Sequence, residues 1–398
     1  MATFTVRFLG CKVSHVDAQA LRDRLLADGH EELEGSADVA VVNTCCVTNE
    51  AVAKSRQAAA RAARTHGRVY VTGCGANLAG DTFATLPANV SVIRATPEET
   101  PVLVARDVGP IGCVQADSRL DRVRAFVRVQ DGCSFSCNFC VIPFVRGASR
   151  SRRADAVLAE VEKRARQGHR EVVLTGINLG CYRDREAGYG LPRLVHEAGA
   201  VPGLERLRLS SIEINHVTEE LVAALRETRV VSRHLHVPLQ SGDDEILRAM
   251  GRRYTAQTYL RRLAPLEDFN LTSDVIVGFP GEDEAAFRNT LAVLRQAGIT
   301  KVHVFPYSPR PGTVTAEADT IPPAVKKERS ARLRAASHEA CLARWRRKLE
   351  REDVVLVDRP GRGYGDDYSP WLVPKGAPIG ELVRVRGAAV TEEGILAA

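Results

Sequence analysis

No apolar run in this chain approaches the roughly 18 residues that a membrane span requires. The amino end, MATFTVRFLGC, alternates like a strand and lacks the basic region, apolar stretch and small-residue cleavage site of a leader. Nothing therefore directs the chain out of the cytoplasm, and its thiols are expected to start reduced. There is no internal repeat and no low-complexity tract, which excludes solenoid and repeat architectures. Charge of one sign is in small excess: 55 Lys and Arg against 49 Asp and Glu leave a net of +6. That permits a nucleic-acid partner without requiring one, because a solvated basic face has the same composition. No nucleophile or His/Asp dyad stands out, so ordinary acid-base or acyl chemistry has no obvious seat. What is present is ordinary globular material, 44% hydrophobic and 26% charged, which excludes disorder. A length of 398 residues exceeds what one hydrophobic core covers, so two or three domains are expected.

The first segment, to about Gly109, alternates β-rich runs with helix-period stretches: Phe4 to Leu9 then His15 to Ala27, Ala37 to Val42 then Asn49 to Thr65, and Arg68 to Val71 then a turn. That order predicts a parallel α/β sheet. Asp107 to Arg122, with Gly109, Pro110 and Gly112, reads as a linker, and a boundary near residue 118 follows. From Arg124 the alternation restarts with six predicted strands: Ala125 to Val129, Glu171 to Leu174, Arg206 to Leu209, His234 to Val237, Ser273 to Val277 and Lys301 to Phe305. Six βα units predict a partial (βα)6 barrel, since a complete eight-unit barrel usually takes about 250 residues. Val325 to Glu352 lacks Gly and Pro and carries ten Lys or Arg, with Leu333, Ala336, Ala340 and Ala343 on one stripe, so it reads as a basic connecting helix. Short β-like runs at Val354 to Val357, Trp371 to Val373 and Leu382 to Val385 predict a small terminal β-barrel. The chain is accordingly divided at 1–117, 118–350 and 351–398.

Ten cysteines in a reducing compartment read as metal ligands or catalytic thiols before they read as disulfides. Cys133-Ser-Phe-Ser-Cys137-Asn-Phe-Cys140 is a C-x3-C-x2-C run that follows the first strand of the central unit. Thiolates suit zinc and iron-sulfur clusters alike, but a structural zinc site wants a fourth protein ligand, and the nearest downstream histidine is His169. Three ligands on a four-iron cluster leave one iron open to a small chelating molecule. A second set, Cys11, Cys45 or Cys46, and Cys74, has no zinc-like spacing. Each follows a predicted strand immediately, however, and in a parallel sheet those carboxyl ends share one edge. Three thiols can converge there; buried strand-end cysteines that merely pack would look the same in sequence.

The C-x3-C-x2-C loop resembles the radical S-adenosylmethionine (SAM) superfamily. That resemblance implies a [4Fe-4S] cluster on Cys133, Cys137 and Cys140 and SAM as the chelating molecule. Leu174-Thr175-Gly176, Leu209-Ser210-Ser211-Ile212-Glu213 and Val277-Gly278-Phe279-Pro280-Gly281-Glu282 end predicted strands, where barrel sites lie. The resemblance carries SAM contacts to Phe139, Gly176, Ser210, Glu213 and Gly278. Leu9-Gly10-Cys11-Lys12-Val13, Asn43-Thr44-Cys45-Cys46-Val47-Thr48 and Thr72-Gly73-Cys74 look like the first domain of the methylthiotransferases, which implies a second [4Fe-4S] cluster on Cys11, Cys45 and Cys74. Cys140-Val141-Ile142-Pro143, Arg146-Gly147, Ser149-Arg150-Ser151-Arg152 and His234 to Gly242 extend the likeness over most of residues 4 to 320. Within that family, residues 43 to 50 and His303 to Ser308 are most similar to the MtaB type, which acts on N6-threonylcarbamoyladenosine at position 37 of tRNA. The sequence departs from the family at Ser14, where Asn is usual, and at Cys46, where Thr, Ser or Gly is usual.

The resemblance implies tRNA, through its anticodon stem-loop, together with an electron donor protein and a sulfur donor, as partners of a cytoplasmic enzyme. Relatives acting on isopentenyl-adenosine tRNA or a ribosomal-protein aspartate share the same chemistry, and a non-catalytic iron-sulfur RNA-binding protein is the alternative of another class. The terminal barrel resembles the TRAM domain, an RNA-binding module. Tyr364, Tyr368 and Trp371 among Arg359, Arg362, Lys375, Arg384 and Arg386 would suit a tRNA loop, or the aromatics would fill the barrel core. Residues 354–398 are thus expected to be separable from SAM chemistry. Cys113, Cys181 and Cys341 match no motif and are assigned nothing beyond packing.

Overall fold

The computed structural model describes residues 2–78, 80–109 and 123–398. The expected boundary near residue 118 and Cys113 lie outside them. Two compact units are present, and they do not follow chain continuity: Gly132–Ala148 and Ser308–Glu317 pack with Met1–Arg119, and the remainder forms the second unit.

In the first unit β1 (Thr3–Phe8), α1 (Lys12–Ala27), β2 (Glu31–Glu32), β3 (Val39–Thr44), α2 (Asn49–Ala62), β4 (Arg68–Gly73), β5 (Val90–Val92) and α3 (Glu99–Val108) follow one another. The sheet order is β2-β1-β3-β4-β5 and every pairing is parallel. The run Val-Ala-Val-Val-Asn-Thr makes β3 buried along its whole length, as a central parallel strand requires. Thr48 starts α2 by accepting the Ala51 amide on its hydroxyl, with Glu50 in the first turn, where the helix dipole favours an acid.

The second unit contains β6 (Arg124–Arg128), α4 (Ala154–Arg166), β7 (Glu171–Thr175), α5 (Leu191–Gly199), β8 (Arg206–Leu209), α6 (Glu219–Glu227), β9 (His234–His236), α7 (Ala256–Leu263), β10 (Asn270–Val277), α8 (Glu284–Gln296), β11 (Ile299–Pro306) and α9 (Pro323–Arg346). Parallel sheets β8-β7-β6 and β9-β10-β11 are joined by the bridges Leu207 to Val231 and Ser211 to His236. The result is the expected open six-stranded barrel. Strand alternation puts Val127, Leu174, Leu207, Leu235, Val275 and Val302 into one apolar core with the helices. The opposite face is polar. β10 begins three residues earlier than its apolar run suggests because Asn270 and Thr272 lie on that face, where Asn270 donates to the Asp367 carbonyl at 2.8 Å.

The carboxyl end of the chain is a closed five-stranded barrel, β12 (Glu352–Arg359), β13 (Arg362–Tyr364), β14 (Pro370–Leu372), β15 (Leu382–Thr391) and β16 (Gly394–Ala397), in the order β12-β13-β14-β16-β15. It covers the amino ends of the six parallel strands. Arg206, the first residue of β8, donates to the Val354 carbonyl at 2.7 Å, and Arg124 of β6 pairs with Asp358 at 3.0 Å. Tyr364 and Tyr368 stack on each other at 4.7 Å, with Arg124 4.7 Å above Tyr364 and Arg208 4.6 Å above Tyr368. Tyr368 is held there at φ 66°, a left-handed conformation that only dense contacts sustain in an aromatic residue. Trp371 is buried in the small barrel's own core. These three aromatics are therefore packing residues rather than base-stacking platforms. The small barrel is not a detachable module either, because removing it uncovers the charges it covers.

α9 also differs from its sequence reading. Its buried stripe is Lys326, Arg329, Ser330, Leu333 and Ser337, and of the predicted stripe only Leu333 belongs to it. Alanine spacing misled because polar side chains face inward where they have partners: Arg329 and Lys326 pair with Glu282 and Asp319, and the Ser337 hydroxyl accepts the Val302 amide. Half-exposed Arg344 and Lys348 of the same segment are held by Asp367.

Buried beneath the small barrel, Glu171 contacts Arg208 at 2.9 Å, Arg206 at 3.4 Å and Arg124 at 4.0 Å. Burial pushes its carboxyl up, but the three guanidinium groups outweigh that and hold it below the usual carboxylate value. A depressed folded pKa contributes stability above the unfolded value near 4.3 and loses it as pH falls through the folded value. Glu171→Gln is expected to destabilise the fold by about 3–5 kcal/mol, because buried guanidinium groups lose their counter-charge. Urea titration at pH 7 measures this, and a loss under about 1 kcal/mol would refute it.

Candidate metal centres

Three cysteines of the first unit follow three adjacent parallel strands. Cys11 comes shortly after β1 and caps α1, Cys45 follows β3 directly, and Cys74 follows β4 directly. Gly73 must be glycine here: its φ is +83°, and a Cβ would lie 2.1 Å from the Asn43 oxygen. Cys11 is exposed, Cys45 and Cys74 are buried, and the nine described cysteines are all free thiols. Burial pushes the Cys45 thiol up, and the fields of Cys74 and Cys11 push it further. Cys46 has different surroundings. It is fully buried beside Cys74, Leu78, Val141 and Val145, and its contact with the Cys74 sulfur, together with burial, pushes its thiol up. Contact with Cys46 and the Arg146 guanidinium hold Cys74 below the ordinary thiol value against its burial. Ser14, the departure next to Cys11, places its hydroxyl oxygen 3.7 Å from the Cys11 sulfur.

Cys133, Cys137 and Cys140 lie half-buried on one loop of the same unit. Gly132 opens it at φ +65°, where a Cβ would meet the Ala148 carbonyl oxygen at 2.1 Å. The Cys133 amide donates to the Gly147 carbonyl and the Cys140 amide to the Cys137 carbonyl, each at 3.1 Å, which closes the loop into a tight cup. Thr315 clamps it from outside by donating to the Asn138 carbonyl. Half-buried Phe139 sits inside this turn, next to Cys140. The loop continues into the short helix Ile142–Arg146, whose last residue reaches the other cysteine set: Arg146 Nε donates to Cys74 Sγ at 2.9 Å, and its Nη2 pairs with Asp17 at 2.5 Å. Both partners of that pair are buried.

The family model described as the radical SAM superfamily matches residues 127–294, and that described as uncharacterized protein family UPF0004 matches residues 3–94. A threonylcarbamoyladenosine tRNA methylthiotransferase MtaB of Bacillus subtilis is 34% identical over 97% of this chain and 94% of its own length. The MtaB of Thermotoga maritima is 31% identical over 100% of this chain and 96% of its own. The chain belongs to the MtaB-type methylthiotransferase family. Among solved structures, the radical SAM methyltransferase TsrM of Kitasatospora setae superposes with a TM-score of 0.58 at 15% identity, covering 79% of this chain and 75% of that one. The cobalamin-dependent SAM radical enzyme OxsB gives a TM-score of 0.51 at 11% identity, covering 85% and 58%. These two likenesses concern the fold alone.

Against the cofactors of a methylthiotransferase, the donor chemistry fits. Two sets of three thiols suit four-iron clusters that each keep an open iron; the Cys133 set has no fourth ligand beside it in sequence, and the N-terminal set has only Cys46, next to Cys45. A thiolate is the ligand form, and Cys74 is already biased toward it. In the second unit, Thr175 Oγ1 and Ser210 Oγ, at the carboxyl ends of β7 and β8, are buried with no hydrogen-bond partner. Orphaned hydroxyls at strand ends are what a polar ligand satisfies. Gly176 lies against Gln130, whose side-chain oxygen a Cβ would approach to 2.9 Å, and Gly278 turns at φ +68° against the Lys326 side chain.

The two acids of the strand-end motifs are engaged by protein. Glu213 accepts the Asn215 amide at 2.8 Å and pairs with Arg252 at 3.3 Å, while Glu282 accepts the Gly278 amide at 2.8 Å and the Arg329 guanidinium at 2.6 Å. Glu282 is thus a latch on the turn that follows β10.

Four residues had no role in the sequence reading. Arg146 was legible only as part of a motif, and its partner Asp17 carried no signal. Buried Arg310 donates to the Cys46 carbonyl at 3.2 Å, fixing the segment that carries the two adjacent cysteines. Cys181, read as packing, lies 3.3 Å from His216 Nε2.

Proposed function

We propose that this chain methylthiolates C2 of N6-threonylcarbamoyladenosine in tRNA, using SAM and two [4Fe-4S] clusters held by Cys133, Cys137 and Cys140 and by Cys11, Cys45 and Cys74. The observation that carries this reading is the presence of two separate three-thiol sets in a full-length relative of enzymes bearing that name. An aromatic C–H is far too weak an acid for any side-chain base, and reductive SAM cleavage at an iron-sulfur cluster supplies the radical chemistry such a bond requires. The protein's part is placement. In the first unit the cup around Cys133 to Cys140 fixes three thiols with Phe139 beside them; in the second, Ser210, Gly176 and Gly278 would offer hydroxyl, amide and open backbone to SAM. Glu213 acts by positioning this end of β8 through Asn215 and Arg252. Functionally the chain divides at 1–117, 118–350 and 351–398. It works in the cytoplasm, where tRNA, a reductant and a sulfur donor are available, and no described helix is long and apolar enough to cross a membrane.

Contact with the anticodon stem-loop is assigned to exposed cations of the TRAM-like barrel, Arg359, Lys375, Arg384 and Arg386, and not to its aromatics. Phosphate contacts release counterions, so affinity should fall by roughly 10²-fold between 50 and 200 mM salt for about four contacts. Arg384→Ser/Arg386→Ser should flatten that slope and leave SAM cleavage intact. The deciding experiment supplies hypomodified tRNAs to the reconstituted enzyme and analyses the nucleosides by mass spectrometry. Threonylcarbamoyladenosine should gain a methylthio group and isopentenyladenosine should not. Modification confined to the isopentenyl substrate, or to a ribosomal protein, rejects the substrate assignment.

A further inference from the structure

On the polar face of the six-stranded barrel, two imidazoles and a carboxylate meet outside both cysteine sets. His236 of β9, Asp274 of β10 and His303 of β11 place one ligand atom each within 4.8 Å of the other two. The register explains why: Asp274 is paired directly with His303, and His236 is paired with Thr272, two residues before Asp274 on the same strand. All three therefore project from one face, while Leu235, Val275 and Val302 take the other. His236 Nε2 is 3.2 Å from Asp274 Oδ1, and its Nδ1 is 2.9 Å from the Thr272 hydroxyl. A histidine with one ring nitrogen bonded to a protein hydroxyl and the other aimed at a shared point is oriented as metal-ligating histidines are. The His236 and His303 rings lie 5.6 Å apart, tilted rather than stacked.

Charge decides what such a cluster holds. With both imidazoles neutral the trio carries the negative charge of Asp274, so an anion is repelled at contact distance and a cation is attracted. Lys301 lies on the same strand two residues before His303, so a singly charged cation gains little, and direct coordination of a divalent ion is favoured instead. Two nitrogen ligands and one carboxylate oxygen suit the borderline divalent ions, zinc among them. Around zinc the ligand atoms lie roughly 3.3 Å apart, given bond lengths of about 2.0–2.1 Å. His236 and Asp274 already have that spacing, and His303, the exposed member, closes the rest by side-chain rotation.

We propose that His236, Asp274 and His303 form a divalent transition-metal site, separate from the iron-sulfur ligands, with at least one coordination position open. Should the chain act on threonylcarbamoyladenosine, as proposed above, the threonyl carboxylate and hydroxyl are oxygen ligands of the class that the open position takes. That clause rests on the substrate reading; the metal site does not.

The test uses the full-length, cluster-reconstituted protein dialysed against zinc. Zinc and iron are counted per chain, and zinc K-edge absorption reads the ligand type. Expected are about one zinc per chain with no loss of iron, and a nitrogen and oxygen shell near 2.0–2.1 Å. His303→Ala, at an exposed position, and Asp274→Asn should each weaken zinc binding at least about tenfold, and circular dichroism melts confirm that the variants are folded. A sulfur shell near 2.3 Å would place the zinc on cysteines and overturn the proposal. So would equal zinc retention by the folded His303→Ala protein, or no retained zinc in wild type. The substrate clause is read separately, as tighter zinc retention in the presence of threonylcarbamoyladenosine tRNA than of unmodified tRNA. Its failure with the zinc site intact removes that clause alone.

Discussion

Cys45→Ala is expected to halve the iron of the reconstituted protein, from about eight atoms per chain to about four, and to abolish methylthio transfer while SAM cleavage continues. Cys46→Ala should keep both clusters and most of the activity. The two residues are adjacent, so composition and hydropathy barely distinguish them, yet their surroundings differ. Cys45 is under the influence of both Cys74 and Cys11, whereas Cys46 lies under Cys74 among Leu78, Val141 and Val145. It packs against Cys74, so losing it should perturb the N-terminal cluster's reduction potential without removing iron. Iron analysis and electron paramagnetic resonance of the two variants decide the matter, and the reverse pattern would show Cys46 to be the ligand.

Arg146 should have the next largest effect. Its guanidinium joins a carboxylate on α1, Asp17, to a thiol after β4, Cys74, with almost no solvent access. Arg146→Met leaves Asp17 charged and buried without its partner, a loss of about 3–5 kcal/mol within the first unit. Replacing both members removes the uncompensated charge, so Asp17→Leu/Arg146→Met should recover most of the stability. It should not recover the chemistry. Without the donor at 2.9 Å, the thiolate at Cys74 loses a charge-assisted hydrogen bond, so the N-terminal cluster should be harder to reduce and methylthio transfer slower. Redox titration of the double variant separates the two roles. Full transfer activity at an unchanged potential would mean that Arg146 only supports the fold.

Much of the architecture was legible because its signals are local. All six barrel strands stand where apolar runs between helical stretches put them, and the strand-end positions of Cys11, Cys45 and Cys74 follow from the βα alternation of the first unit. Sequence-local signals failed at the amino ends of the barrel strands. Arg124, Glu171, Arg206 and Asn270 look like solvated polar residues, and Tyr364 and Tyr368 look like an RNA-stacking pair. In the fold they are one network, assembled from segments 97 to 244 residues apart.

The sequence by itself determined the elements, their alternation and the two cysteine sets, because strand and helix periods and motif spacings are properties of neighbouring residues. Family membership followed from the same residues. Only the tertiary structure decided that the terminal barrel closes the central one, that four of the ten cations in Val325 to Glu352 are spent on internal carboxylates, and that Arg146 serves Cys74. The reason is electrostatic. A charged side chain reads the same in sequence whether water or a buried partner satisfies it, and the difference arises only when folding brings the partner from a distant segment and removes the water.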